Sequence, residues 1–172
     1  MTQPERQERL SRDRILGAAL ELTARDGPQA LSMRRLAQDL DVWPMSIYRY
    51  FRDKDELLDA LAGHAAHAIS APAADGPWRE DMGVLLRQAR AAFERQPGGA
   101  RLHRDRGLRD VGVAILVRSG LSRADALSGW DALIAYAAGA AALEMAPKRF
   151  EYGLERMFDG LERQSAAAQS RS

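Results

Sequence analysis

The chain contains no cysteine, few aromatic residues (6%) and no excess of either charge, since 25 basic residues are balanced by 24 acidic ones. The absence of cysteine excludes disulfide bonds, a thiol nucleophile and a thiolate metal site. The net charge of +1 produces no attraction over the whole molecule for nucleic acid or an anionic membrane. Any such partner must therefore be recognised through a local patch of residues.

Long apolar runs are missing as well. A membrane-spanning helix needs roughly 18 to 20 apolar residues, and Arg, Asp or Glu interrupts every stretch that could reach this length. Residues Met1 to Arg6 carry mixed charge and lead into no apolar run, which differs from a secretory signal. We expect a soluble, cytoplasmic protein without a membrane partner.

Apolar residues recur at helical spacing along the whole chain, and no segment alternates β-branched with polar residues. The sequence therefore predicts an all-α fold. The first helix spans roughly Arg12 to Arg25, Ser32 caps a short second helix, and Pro44 suits the first turn of a third. Asp41 stands where the tight turn between the second and third helices needs a left-handed residue.

A segment rich in proline and glycine, residues 70–77, is the clearest break in the chain. It divides an N-terminal three-helix helix-turn-helix domain (1–52) and its connecting helix (53–70) from a second helical domain (71–164). The Ala/Ser/Gln-rich tail (165–172) is predicted to fray. Small residues in the last two long helices, from Ala135 to Ala142 and at Gly153 and Gly160, indicate close helix packing, as in a two-fold dimer.

The second and third helices, Leu31 to Leu40 and Trp43 to Phe51, have the layout of a helix-turn-helix that places a recognition helix in the major groove. In this interpretation base edges would be met by Trp43, Met45, Ser46 and Tyr48. Phosphates would be met by Arg34, Tyr50, Arg52 and Lys54, and the predicted DNA-binding set also includes Arg49. Five basic and three acidic residues between Leu31 and Lys54 give a local charge of +2. Two alternatives stay open: the helix pair only packs, or Trp43 shields the turn rather than touching a base.

Residues 12 to 62 resemble the N-terminal domain of the tetracycline-repressor (TetR) family of bacterial transcription regulators. The resemblance rests on Leu31-Ser32-Met33-Arg34-Arg35-Leu36-Ala37-Gln38, Val42, Ser46-Ile47-Tyr48-Arg49-Tyr50-Phe51 and Lys54-Asp55-Glu56-Leu57-Leu58. The chain departs from the family pattern at Asp41, where glycine is usual, and at Trp43-Pro44-Met45, where small and polar residues are common. The resemblance implies a homodimeric repressor that binds a palindromic double-stranded DNA operator and is released by a small molecule. The same head chemistry would also serve an activator.

Residues Phe150 to Glu162 look like the closing helix of the same family, in which the last two long helices of each subunit pair with their mates as a four-helix bundle. This resemblance implies a dimer interface, for which the predicted residues are Ala138, Gly153, Met157, Gly160 and Leu161. It also implies an effector pocket within the second domain, with the candidates Phe93, His103, Trp130 and Ile134. The context of His103 is similar to that of a histidine that contacts a metal-chelated drug in the tetracycline repressor, and His103 stays open as a loop or a pocket residue.

An enzyme is the rival class, but the sequence contains no Ser/His/Asp set and no phosphate-binding glycine loop after a strand. His64 and His67 have helical spacing, yet no acidic or cysteine partner completes a metal site. We therefore expect no catalytic residue, no metal and no cofactor. The alternative to a regulator is a helical small-molecule or protein-binding module of the same fold with weak or no DNA binding.

Overall fold

The computed structural model of the protein describes residues 9–72, 76–95 and 99–170, which form eight α-helices, two short 3-10 helices and no strand. The predicted all-α fold is therefore confirmed. The chain divides into two compact units, which we call the head unit (Met1–Leu61) and the C-terminal unit (Ala62–Ser172). Within the described ranges, no helix is both long enough and apolar enough to cross a membrane.

The head unit contains three helices and the first half of a fourth. They are α1 (Arg12–Asp26), α2 (Met33–Asp39), α3 (Pro44–Tyr48) and α4 (Lys54–His67), with a 3-10 helix at Pro28–Ala30. Serine side chains start two of these helices, because Ser11 Oγ accepts the Arg14 N–H at 3.1 Å and Ser32 Oγ accepts the Arg35 N–H at 3.2 Å. Their apolar faces enclose one core, which includes Ile15, Leu22, Leu36, Ile47, Phe51, Leu57 and Leu61.

The C-terminal unit continues from α4 with four further α-helices. They are α5 (Trp78–Arg95), α6 (Arg106–Arg118), α7 (Arg123–Ala142) and α8 (Pro147–Gln169), with a 3-10 helix at Gly99–Arg104. Ser122 caps α7, since its Oγ accepts the Asp125 N–H at 3.1 Å. The largest buried side chains of this unit's core are Trp130, Phe150 and Phe158.

Ion pairs and close contacts attach α8 to its neighbours. The Arg79 guanidinium of α5 donates to Glu155 at 2.6 Å, to Asp159 at 2.9 Å and to Glu162 at 2.7 Å. Hydrogen bonding to Arg79 lowers the pKa of Asp159 below its ordinary value. The network keeps one edge of α8 against α5.

Two predicted helix boundaries differ from the structure. Helix α3 ends at Tyr48 rather than Phe51, because the chain turns toward α4 from Arg49 onward. Helix α8 runs to Gln169, five residues into the predicted tail, because buried Ser165 donates its hydroxyl to Ser119 O at 2.7 Å. The two units divide within α4, inside the predicted connecting helix. Residues 1–8, 73–75 of the predicted break, and 171 and 172 of the predicted tail lie outside the described ranges.

Candidate nucleic-acid interface

The turn between α2 and α3 has the conformation that the sequence predicts. Asp41 has a φ of 50°, in the left-handed region that favours glycine. The Asp41 N–H donates to Gln38 O at 3.1 Å and the Val42 N–H donates to Ala37 O at 3.0 Å. These bonds close the end of α2 and direct the chain at once into α3.

Helix α3 has one completely buried residue, and its other residues are exposed or half-buried. Ile47 is completely buried, whereas Trp43 is 83% exposed, Met45 is 72% exposed and Tyr48 is 41% exposed. Met45 precedes Ile47 by two residues, which on an α-helix places it on the opposite side. Ser46 is half-buried. Of the predicted base-facing residues, the structure therefore exposes Trp43, Met45 and Tyr48.

The segment after α3 is fixed by contacts with the start of α1. The Arg12 guanidinium lies 4.1 Å from the centroid of the buried Phe51 ring and donates to Tyr50 O at 2.8 Å. The Tyr50 hydroxyl donates to Leu10 O at 2.6 Å. The sequence predicts a phosphate contact for Tyr50, whereas in the structure the hydroxyl proton of Tyr50 is donated within the head unit.

Glu56 joins this segment to the start of α4. Its carboxylate accepts the Arg52 N–H at 2.9 Å and the Arg52 guanidinium at 3.1 Å, while Asp53 Oδ1 accepts the Glu56 N–H at 2.8 Å. The donors from Arg52, followed by the Arg12 guanidinium, lower the pKa of Glu56. Asp53 thus caps α4 as in a capping box, except that Glu56 accepts the N–H of Arg52 rather than that of Asp53.

Cationic side chains surround α3, and they differ in their partners. Arg35 pairs with Asp39 at 3.2 Å, and Arg25 pairs with the same carboxylate at 2.7 Å, which lowers the pKa of Asp39. Within the described part of the chain, no ion pair engages the exposed residues Arg34, Arg49 and Lys54. These three charges remain available for phosphates.

A groove that the sequence does not predict lies beside the turn. An open depression with a volume of about 460 Å³ is lined by Ala37, Gln38, Asp41, Val42 and Trp43. Gln38 is an exposed amide at this groove, and glutamine is a side chain that reads adenine by two hydrogen bonds. In the sequence, the position of Gln38 just before the turn indicates such a contact.

The predicted effector residues do not meet at one described cavity. Trp130 and Ile134 are buried in the core of the C-terminal unit, Phe93 packs partly against that core, and His103 is exposed on the 3-10 helix. The Nε1 atom of Trp130 is buried and has no hydrogen-bond partner within the described ranges. An unpaired buried donor costs about 1–3 kcal/mol, so an acceptor that reached it would be bound favourably.

A small cavity lies elsewhere in the C-terminal unit, beside the start of α6. Its volume is about 110 Å³, and its lining includes Ala66, His67, Ile69, Leu85 and Leu108. His67 Nδ1 lies 2.7 Å from Gly63 O, within its own helix. In the described residues no group of three or more potential ligands could hold a metal ion.

The predicted dimer residues fall into two groups. Ala138 and Gly160 are partly exposed, and a Cβ built on Gly160 would meet no atom within 4 Å. Met157 and Leu161 are partly buried against the core of their own unit. Gly153 accommodates Tyr136 of the same chain, because an added Cβ would overlap the tyrosine hydroxyl and lie 3.2 Å from Cε1.

Known proteins share both the head unit and the whole fold. The family model described as bacterial regulatory proteins of the tetR family matches residues 15–61. The tetracycline repressor protein class A from transposon 1721 of Escherichia coli is 32% identical over 150 residues, which are 80% of this chain and 68% of that repressor. The chain spans between 33% and 68% of the length of the first curated relatives that it matches.

Two solved structures resemble the fold over almost its full length. A crystal structure of BioQ with its double-stranded DNA operator has a TM-score of 0.78 at 29% identity and covers 90% of this chain and 99% of that one. The Streptomyces coelicolor protein ActR in complex with (S)-DNPA has a TM-score of 0.76 at 26% identity, covering 91% and 98%. The relatives named here are thus a repressor, a protein bound to operator DNA and a protein bound to a small molecule.

Proposed function

Since the chain belongs to the tetracycline-repressor family of bacterial regulatory proteins, we propose that it is a sequence-specific transcriptional repressor. It binds a palindromic operator as a homodimer and is released by a small molecule. The observation that carries the proposal is the exposed face of α3, with Trp43 and Met45 projecting from a helix fixed by buried Ile47. We also propose that the protein is located in the cytoplasm and has no enzymatic activity.

In the proposed complex, α3 lies in the major groove of each half-site. Trp43, Met45, Ser46 and Tyr48 meet base edges, since residues in this part of a recognition helix reach the groove floor. Phosphates are bound by Arg34, Arg49 and Lys54, which have no competing ion pair among the described residues. Tyr50 contributes by holding the segment after α3 through its bond to Leu10 O.

The proposed dimer forms through α7 and α8. The exposed side of α7 carries small residues that allow close approach of a second helix: Ala124, Ser128, Ala132, Ala135 and Ala142. Ala138 and Gly160 also belong to this proposed surface, and Met157 and Leu161, which are partly buried against the core, lie at its edge. The missing side chain of Gly153 makes room for Tyr136 of the same chain and needs no dimer contact to explain it.

The proposed effector binds in the C-terminal unit and shifts the protein toward a conformation with lower affinity for the operator. Trp130 supports this location, because its buried Nε1–H lacks a partner in the described ranges and would donate to an acceptor atom of the effector. The 110 Å³ cavity beside α6 is smaller than the roughly 300–1,000 Å³ of typical ligand sites, so a larger effector requires the helices to separate. Phe93, His103 and Ile134 remain candidates for contact with it.

Selection from a random double-stranded DNA library at two salt concentrations tests the DNA-binding proposal. We expect a two-fold symmetric site whose affinity falls steeply with salt. A folded protein that selects no sequence above background would refute the proposal and leave the helical binding module as the alternative.

Lys54→Gln measures how many subunits bind the selected operator. Each lost phosphate contact lowers the slope of log affinity against log salt by about 0.9, so a dimer should lose about 1.8 and a monomer about 0.9. Lys148→Gln is the matched control, because Lys148 is exposed in the first turn of α8, outside the proposed DNA interface. An unchanged slope for Lys54→Gln would remove this residue from the interface.

A further inference from the structure

Trp43 and Met45 form an exposed apolar pair that the fold of the head unit does not use. Their side chains are 83% and 72% exposed, and both lie outside the head unit's hydrophobic core. They flank Pro44, the first residue of α3. Met45 is opposite the buried Ile47 and therefore lies on the outward side of the helix.

The chemistry of this pair limits what it can read. Methionine carries no hydrogen-bond donor and only a weak acceptor, and tryptophan carries a single donor at Nε1. Such side chains distinguish bases in the major groove mainly by apolar contact, and the C5-methyl of thymine is the apolar group that a base presents there. The cations around α3 supply contacts to phosphate but no information about sequence.

We propose, on the basis of the DNA-binding function above, that Trp43 and Met45 determine operator specificity by packing against thymine C5-methyl groups in each half-site. Trp43 has an extended backbone, with φ −67° and ψ 139°, and caps α3 from outside the helix, two residues before Met45. Met45 projects from the helix itself. The two side chains can therefore reach different base pairs, and the operator should contain a thymine for each.

Replacing thymine by uracil tests this inference, because uracil lacks the methyl group and keeps the same pairing edge. Each thymine of the selected operator is replaced in turn, symmetrically in both half-sites. Burying a methyl group contributes about 4-fold in affinity. Uracil at either of the two contacted positions should therefore lower the affinity for the operator about 4-fold per half-site, and uracil at any other position should leave the affinity unchanged. The affinity is measured by fluorescence anisotropy with the full chain.

The variants Trp43→Ala and Met45→Ala identify which residue reads which base. Each should abolish the uracil penalty at one position and leave the penalty at the other. Lys54→Gln is the matched control. It should weaken binding to the thymine-containing and the uracil-containing operator equally, so that the uracil penalty persists. Far-UV circular dichroism confirms that each variant is folded, as expected for exposed positions.

The outcomes separate this inference from the proposed function. A symmetric operator whose affinity is insensitive to every uracil substitution overturns the inference and leaves the function intact. So does a uracil penalty that persists in both alanine variants. Failure to select any operator instead refutes the function on which the inference rests.

Discussion

The packing of α6 against α7 depends on the missing side chain at Gly112. A Cβ at this position would overlap Trp130 Cε3 and Cζ3 and lie 2.8 Å even from Cδ2. Carbon atoms pack best at about 3.5–4.0 Å, so the ring would have to retreat by roughly 0.7 Å at Cδ2 and further at the other two atoms. Trp130 is 1% exposed and has little room to move. We therefore expect Gly112→Ala to destabilise the protein.

The magnitude follows from two opposed effects. Overpacking a core costs about 1–3 kcal/mol, and a rigid indole places this site near the upper end. Replacing a helical glycine by alanine raises the free energy of unfolding by about 1 kcal/mol through helix propensity. The net loss of unfolding free energy for Gly112→Ala is then about 2 kcal/mol.

Gly63→Ala is the matched control, since Gly63 lies in α4 and a Cβ there would meet no atom within 4 Å. It gains the same propensity of about 1 kcal/mol without overlap. The two variants should differ by about 3 kcal/mol, or about 6–12 °C in Tm for a chain of this size. Thermal unfolding followed by circular dichroism at one protein concentration measures the difference.

A second background isolates the overlap itself. Trp130→Phe lacks the Cε3 and Cζ3 atoms of the indole, so Gly112→Ala should cost much less in that background than in the parent. Equal costs in both backgrounds, or a Gly112→Ala variant as stable as Gly63→Ala, would refute the reasoning.

Three further predictions concern α8. Ser165→Ala should lower the free energy of unfolding by about 1 kcal/mol in urea titration, because the hydroxyl's bond to Ser119 O is lost, whereas a frayed tail would give no change. Gly153→Ala should lower the free energy of unfolding by up to about 2 kcal/mol, because overlap with the half-buried Tyr136 costs about 1–3 kcal/mol and the helix propensity of alanine offsets about 1 kcal/mol of it. The dimer fraction in analytical ultracentrifugation should be unchanged, and dissociation without loss of stability would contradict this. The bond from Arg79 lowers the folded-state pKa of Asp159 below its ordinary 3.8, so this contribution is present above about pH 4 and is lost as the pH falls through the folded pKa. Asp159→Asn should therefore reduce the acid dependence of Tm below pH 4, and a curve parallel to that of the parent would contradict it.

Local signals in the sequence predicted much of the fold. The helix-starting Ser32 and the left-handed Asp41 each depend on neighbours within a few residues, and both are confirmed. The same holds for the placement of α3, whose buried Ile47 and exposed Met45 follow from helical periodicity.

What escaped prediction depends on contacts between distant residues. The spacing of Gly153 and Gly160 suggests a helix interface, but the neighbour of Gly153 is Tyr136, which lies on another helix. Tyr50 is exposed by pattern, yet its hydroxyl bonds to Leu10, forty residues away. The extension of α8 depends likewise on Ser119. Such partners are chosen by tertiary packing, which no local pattern specifies.

Helix α4 supplies buried side chains to two cores. Leu57 and Leu61 belong to that of the head unit, and Ala65, one further turn along the same face, belongs to that of the C-terminal unit. For domain exchange between related regulators, a joint within α4 at Gly63 or His64 would fall between these two sets, so that every side chain of each core would come from a single parent. A joint in the proline-containing segment that follows α4 would instead take Ala65 and Ala66 from the donor of the DNA specificity and place them in the core of the recipient.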